Sequence, residues 1–209
     1  MGLLDDLKQQ ADTLRQKEQV SQEEISQNLL LARRMVEAGV RFITVNGWVG
    51  PSPGAGGGPP SSSWDMHGGH MGMGNAFSTG SYGMGWCLPC LDEALTALLT
   101  DLSDRGMLDN TMVVVSGEFG RTPIINDKAG RDHWPRAFSN IWFGGGIRTG
   151  QVVGATDRRG EDVVERRCSA HDFLATIYHH LGIDASRTTI DDFSGRPTPI
   201  VDHGRLVAL

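Results

Sequence analysis

Two stretches of this chain gather side chains that bind cations and anions. The first is Trp64-Asp-Met-His67, with His70 close behind. The second runs Gly117-Glu-Phe-Gly-Arg-Thr-Pro123 and continues as Gly130-Arg-Asp-His-Trp-Pro135. Carboxylates (Asp65, Glu118) and imidazoles (His67, His133) mixed in this way suit a divalent ion such as zinc, manganese or calcium. Asp65 and His67 are two positions apart, so on an extended segment both side chains point to one side. A cation held there would polarise an oxygen of a small anionic ester and bind a nucleophile. Arg121 and Arg131 are the candidates to meet the ester's charge, because a guanidinium stays protonated and matches oxyanion geometry. The expected metal ligands are Asp65, His67, Glu118 and His133, four donors without a thiolate. Each also has a plainer reading. Asp65 and His67 fit a solvated or capping pair in a glycine-rich loop. Glu118 fits an anchor for backbone amides with Arg121 as its ion-pair partner, and His133 fits a structural, hydrogen-bonded histidine.

Trp86-Cys-Leu-Pro-Cys90 offers a different chemistry. Two cysteines at the start of a helix resemble the thioredoxin redox motif, where the helix N-terminus lowers a thiol pKa. That fold needs a strand feeding directly into the motif, and here a glycine- and methionine-rich loop precedes it. The expectation is therefore two small apolar residues on a helix face. His171, His179, His180 and His203 are expected to be structural.

These residues need elements to position them. Residues 1–20 read as a polar helical segment. Ser21-Gln-Glu-Glu24 is a capping-box pattern, followed by Ile25, Leu29, Ala32 and Val36 at helical spacing and a stop at Gly39. Residues 40–45 read as a strand. Residues 46–85 form a loop rich in glycine, proline and serine, and loops of that length are usually functional or disordered. Leu88, Leu91, Leu95, Leu98, Leu99 and Leu102 predict a strong helix ending at Gly106. Residues 111–116 are a continuous apolar run, which suggests a strand covered on both faces, as in a parallel sheet. A polar loop over 117–135, a strand over 138–143 and Gly144-Gly-Gly146 come next. Ser169-Ala-His-Asp172 opens a last helix with Phe173, Leu174, Ile177, Tyr178 and Leu181 inward and Gly182 as its stop. Strands alternating with helices predict an α/β domain with a mostly parallel sheet flanked by helices. Residues 40–45, 112–116 and 138–143 are expected in that one sheet.

The bulk composition narrows the function classes. The chain has 209 residues, enough for one domain with a real core. Nineteen Lys and Arg against 25 Asp and Glu give a net charge of -6, which leaves no electrostatic footprint for nucleic acid. No apolar run approaches membrane-spanning length. Residues 1–10 lack the cationic start and apolar stretch of a signal peptide. Three cysteines are too few for a disulfide framework.

Five motifs stand together in one order: Leu30-Leu-Ala-Arg-Arg-Met-Val-Glu-Ala-Gly-Val-Arg-Phe42, Trp64-Asp-Met-His67, Gly117-Glu-Phe-Gly-Arg-Thr-Pro123, Gly130-Arg-Asp-His-Trp-Pro135 and Gly144-Gly-Gly-Ile-Arg-Thr-Gly-Gln-Val-Val-Gly154. In these the chain resembles the bacterial family catalogued as domain of unknown function 1501, from about Glu24 to the end. That family is in turn similar to the alkaline phosphatases and sulfatases. The resemblance implies an alkaline phosphatase-like fold of which residues 21–209 are the C-terminal part. It also implies a metal-dependent phosphate or sulfate ester hydrolase-like activity. Asp65 and His67 take the place of the superfamily's mid-domain Asp and His ligands. Glu118-Phe119-Gly120 stands where an Asp-His-Gly is usual, and His133 matches a final His. Phe119 cannot ligate a metal, which weakens one ion site. The superfamily's nucleophile and first Asp ligand lie in an N-terminal region outside this sequence, so the chain is expected to be incomplete as a catalyst. The competing expectation is a non-catalytic exported protein that keeps the fold with a degenerate site. Family members are usually exported, often behind a twin-arginine signal. That implies a periplasmic or exported protein, or a cytoplasmic one should the chain be complete.

Overall fold

The computed structural model describes residues 24–47, 49, 64, 66–68 and 84–209. The expected polar helical segment over 1–20, the capping residue Ser21, Asp65, His70 and most of the 46–85 loop lie outside the described residues. The chain divides into two compact units, one of Met1–Gly106 with Arg121–His133, the other of Met107–Gly120 with Trp134–Leu209.

The first unit is built on two helices, α1 (Glu24–Glu37) and α2 (Met84–Asp104). Ile25, Val49, Cys87, Cys90 and Ala94 form its buried core, with Leu29, Trp64 and Leu91 packed against it. The indole of Trp64 donates to the Gly47 carbonyl, which ties the 64–68 segment back to the end of the preceding chain. Arg33 is buried, 3% exposed, and is paired with Glu37 at 2.8 Å and Asp101 at 2.6 Å. Arg105 binds the same two carboxylates from the end of α2, at 3.2 and 2.7 Å. A buried arginine needs such partners, because an uncompensated charge inside protein is costly. The inward face of α2 differs from expectation at one position. Leu88 is half exposed, while Cys87 and Cys90 are buried in its place. The face that packs on α1 is narrower than the leucine pattern suggests, and small thiols fit the close approach.

The second unit has short strands, one helix and no long sheet. β1 (Met112–Val115) pairs with β4 (Ile141–Gly144), in the register Met112 with Gly144 through Val115 with Ile141, and the pairing is antiparallel. β5 (Ala155–Thr156) pairs antiparallel with β6 (Val163–Glu165), and β7 (Thr189–Asp191) with β8 (Pro197–Pro199). The fourth pair, β2 (Gly120–Arg121) with β3 (His133–Trp134), falls across the division, with Arg121 and His133 in the first unit and Gly120 and Trp134 in the second. The described residues thus form mixed helices and small antiparallel sheets. The expectation of a mostly parallel sheet is corrected in two respects. β1 and β4 do share a sheet but run in opposite directions, and residues 40–45 belong to no strand. A parallel return requires a crossover, usually a helix of a dozen or more residues. The chain between β1 and β4 holds a ribbon and a loop instead, so it comes back antiparallel.

The helix α3 (Ala170–His180) starts as its sequence predicts. The Ser169 hydroxyl accepts from the Asp172 amide at 3.1 Å, and the Asp172 carboxylate accepts from the Ser169 amide at 2.7 Å. This reciprocal pair satisfies two amides that a helix N-terminus leaves without intrahelical partners. Ala175 and Thr176 are its buried residues, whereas the expected inward Leu174 is 41% exposed. Helices α1, α2 and α3 stop before Gly39, Gly106 and Gly182, whose φ of +90°, +66° and +78° suits glycine alone. No helix among the described residues is long and apolar enough to cross a membrane.

Candidate functional site: an arginine on a histidine pair

The second chemical stretch folds as a tight loop hung on the β2–β3 ribbon. The Thr122 amide donates to the Asp132 carbonyl at 2.9 Å, which brings the two ends of the loop side by side. The loop turns on Asn126. Its side-chain oxygen accepts from the amides of Lys128 at 3.0 Å and Gly130 at 2.9 Å. This is the local bond that makes asparagine a turn residue. The Arg131 guanidinium donates to the Thr122 and Pro123 carbonyls at 2.6 and 2.8 Å, so it braces its own loop.

The 66–68 segment lies directly on this loop. The Arg131 amide donates to the Met66 carbonyl at 2.6 Å. The Asn126 amide nitrogen donates to the His67 carbonyl at 3.2 Å and to the Asp132 carboxylate at 3.1 Å. A Cβ on Gly130 would fall 2.1 Å from the His67 carbonyl, and one on Gly68 would fall 2.2 Å from the Lys128 carbonyl. Two glycines thus let two backbones touch where any side chain would force them apart.

The result is a cluster of three ligand-type side chains. The rings of His67 and His133 lie 4.7 Å apart with a tilt of 55°. Arg121 Nη1 lies 3.1 Å from His67 Nε2, 3.4 Å from His67 Nδ1 and 3.4 Å from the Arg131 carbonyl. A guanidinium has donors and no acceptor, so it meets the imidazole as the donor, close to both ring nitrogens. His67 is half-buried and His133 is exposed.

The expected ligand set is only partly visible. His67 and His133 come together, as expected. Asp65 lies outside the described residues. Glu118 is exposed at the end of β1 and belongs to the other unit. Arg121 stands inside the cluster, whereas Arg131 is occupied with its loop. Among the described residues no group of three or more His, Cys, Asp or Glu side chains is arranged to hold a metal ion. The described donors fit a divalent ion poorly as they stand. A zinc–nitrogen bond is about 2.0–2.1 Å long, and a fixed positive charge already sits on the His67 nitrogen that would make it. Sequence reasoning missed Asn126, which joins the two chemical stretches. Its Asn-Asp-Lys-Ala-Gly context signals a turn, though not a partner sixty residues upstream in the chain.

The cysteines take no part in this chemistry. Burial pushes the Cys87 thiol up to about 11, with the neighbouring Cys90 adding to the shift. A reactive cysteine needs the opposite shift.

The described residues combine helices with short strands in small antiparallel sheets, and Arg121, His67 and His133 cluster within the first unit. The chain belongs to the family described as protein of unknown function DUF1501, which matches residues 4–208. No curated protein and no solved structure matches it.

Proposed function

We propose that this chain is a hydrolase-like domain that receives a phosphate or sulfate ester, and that by itself it is incomplete as a catalyst. The observation that carries this reading is the meeting of Arg121 with His67, 54 positions away, beside the ring of His133. A guanidinium on one imidazole, with a second imidazole ring 4.7 Å from the first, offers several N–H donors to one tetrahedral oxyanion. The motif resemblance to the alkaline phosphatases and sulfatases supports the same substrate class. It adds an alkaline phosphatase-like fold for the longer protein, export to the periplasm, and a divalent ion at Asp65, His67, Glu118 and His133. For that ion to bind, His67 must first release Arg121. A second reading is a non-catalytic protein that keeps the site in degenerate form. Phe119, standing where a ligand histidine is usual, favours it.

The test is titration of the chain with 4-nitrophenyl phosphate and 4-nitrophenyl sulfate, with turnover followed in the same samples. Binding of one ester with turnover near background is the expected result. Sustained turnover would show that the chain is a complete catalyst. Absence of binding at millimolar ester would remove the ester reading itself.

A further inference from the structure

We propose that Arg121 binds the oxyanion directly and without a resident metal ion, in the position where the superfamily resemblance would put a divalent cation. The inference rests on the reading that this site receives an anionic ester. Three features of the site support it. First, the charge is already present. Arg121 brings a guanidinium charge to 3.1 Å from His67 Nε2 and 3.4 Å from its Nδ1. A divalent ion on the same nitrogen would have to sit against that charge with little between them. Second, the arginine is held. It lies in the β2–β3 ribbon, its NH1 nitrogen is 3.4 Å from the Arg131 carbonyl, and His67 is fixed by Asn126 and by the backbone contact at Gly130. A pre-placed donor loses little freedom when the ligand arrives. Third, the neighbouring donors suit an oxyanion. The exposed ring of His133 lies 4.7 Å from that of His67, and an imidazole N–H is a donor to phosphate or sulfate oxygens. Arg131, by contrast, is committed to two carbonyls of its loop, so the anion's charge falls to Arg121.

The probes are inorganic phosphate and inorganic sulfate, titrated calorimetrically into the full chain, once as purified and once after treatment with a chelator. The two anions distinguish a phosphate site from a sulfate site. The expected result is binding of at least one of them, unchanged within about twofold by the chelator. Arg121→Gln should weaken it at least about tenfold, because charge-assisted hydrogen bonds are lost. Arg121→Lys, which keeps the charge but not the fork, should fall between the two and guards against a glutamine variant that fails to fold. Binding that appears only when zinc or manganese is added overturns the inference and leaves the ester reading standing. So does binding that Arg121→Gln and Arg121→Lys leave unchanged. If neither anion and neither 4-nitrophenyl ester binds with or without metal, both readings fall together.

Discussion

Two histidine pairs in this protein have nearly the same spacing and different surroundings. The rings of His67 and His133 lie 4.7 Å apart and tilted by 55°, and those of His171 and His203 lie 4.6 Å apart and nearly stacked, at 24°. The first pair has an arginine on it and a side-chain amide beneath it. The second pair sits where the C-terminal tail closes on α3. There a Cβ on Gly204 would come 2.3 Å from the His171 carbonyl, the Arg205 amide donates to Asp172 at 2.7 Å, and the Val207 amide donates to the Thr176 hydroxyl at 3.0 Å. Backbone donors close that joint. Proximity of two histidines therefore does not make a ligand site. Backbone approach at a glycine accompanies both pairs, and what distinguishes the first is the Arg121 guanidinium on His67.

The largest effect that would break this contrast is at Asn126. Its two donors hold the His67 carbonyl and Asp132, and its oxygen holds the turn. Asn126→Ala removes four hydrogen bonds at about 0.5–1.5 kcal/mol each, partly replaced by water, so a loss of about 2–3 kcal/mol is expected. Thermal unfolding measures it. Asn126→Asp keeps the acceptor for the turn, loses the donor to His67 and sets a carboxylate against that of Asp132. The aspartate should recover part of the stability and none of the phosphate or sulfate binding. Recovery of both would mean that Asn126 shapes the turn and does not position His67.

How far the sequence revealed all this depends on the kind of bond involved. The helices were legible because apolar spacing and glycine stops are local signals. Ile25 and Leu29 do face the core of the first unit, and Ser169 with Asp172 does cap α3. The apolar run at 111–116 was legible as a strand, but strand direction is not written in the run itself. It depends on the connection, and the chain from 117 to 140 has no helical period that could carry a crossover. The site was half legible for a similar reason. Residue types and spacing pointed to His67, His133 and Arg121. They gave no hint that Arg121 would lie on His67, because one guanidinium can serve as an ion-pair partner or as a donor to an imidazole. The C-terminal tail is pinned to Asp172 and Thr176 by backbone amides that carry no sequence signature.

A smaller effect should sharpen the other side of the comparison. The Asp172 carboxyl is held below its usual 3.8, first by the Arg205 amide, then by the Ser169 amide and hydroxyl. A depressed folded-state value means a contribution that is whole above 3.8 and fades as the pH falls through the lower, folded value. Asp172→Ala should cost about 1 kcal/mol at neutral pH, the ordinary worth of a capping interaction. Measured at a pH low enough to protonate the folded-state carboxyl, below its usual 3.8, wild type and variant should converge, since the protonated carboxyl no longer accepts these bonds as strongly. An undiminished difference at low pH would show that Asp172 acts through packing rather than charge. Anion binding in the variant should match the wild type, because this carboxylate belongs to the closing joint.

The smallest expected effect is the most discriminating, and it concerns the two exposed rings. His133 and His203 are both solvent-facing members of their pairs. Exposed substitutions away from special features usually change stability by no more than about 0.5 kcal/mol, so neither His133→Ala nor His203→Ala should move the unfolding midpoint much. The variants should part company when phosphate or sulfate is titrated. The Arg205 and Val207 backbone bonds remain after the His203 ring is removed, so His203→Ala should bind as the wild type does. His133 lends a donor to the cluster around Arg121, and losing a neutral hydrogen bond of about 1 kcal/mol should weaken binding by about fivefold. Equal affinities for the two variants would make His133 a bystander and place the anion on Arg121 and His67 alone. A loss confined to His203→Ala would move the binding site to the end of α3 and overturn the distinction between the pairs.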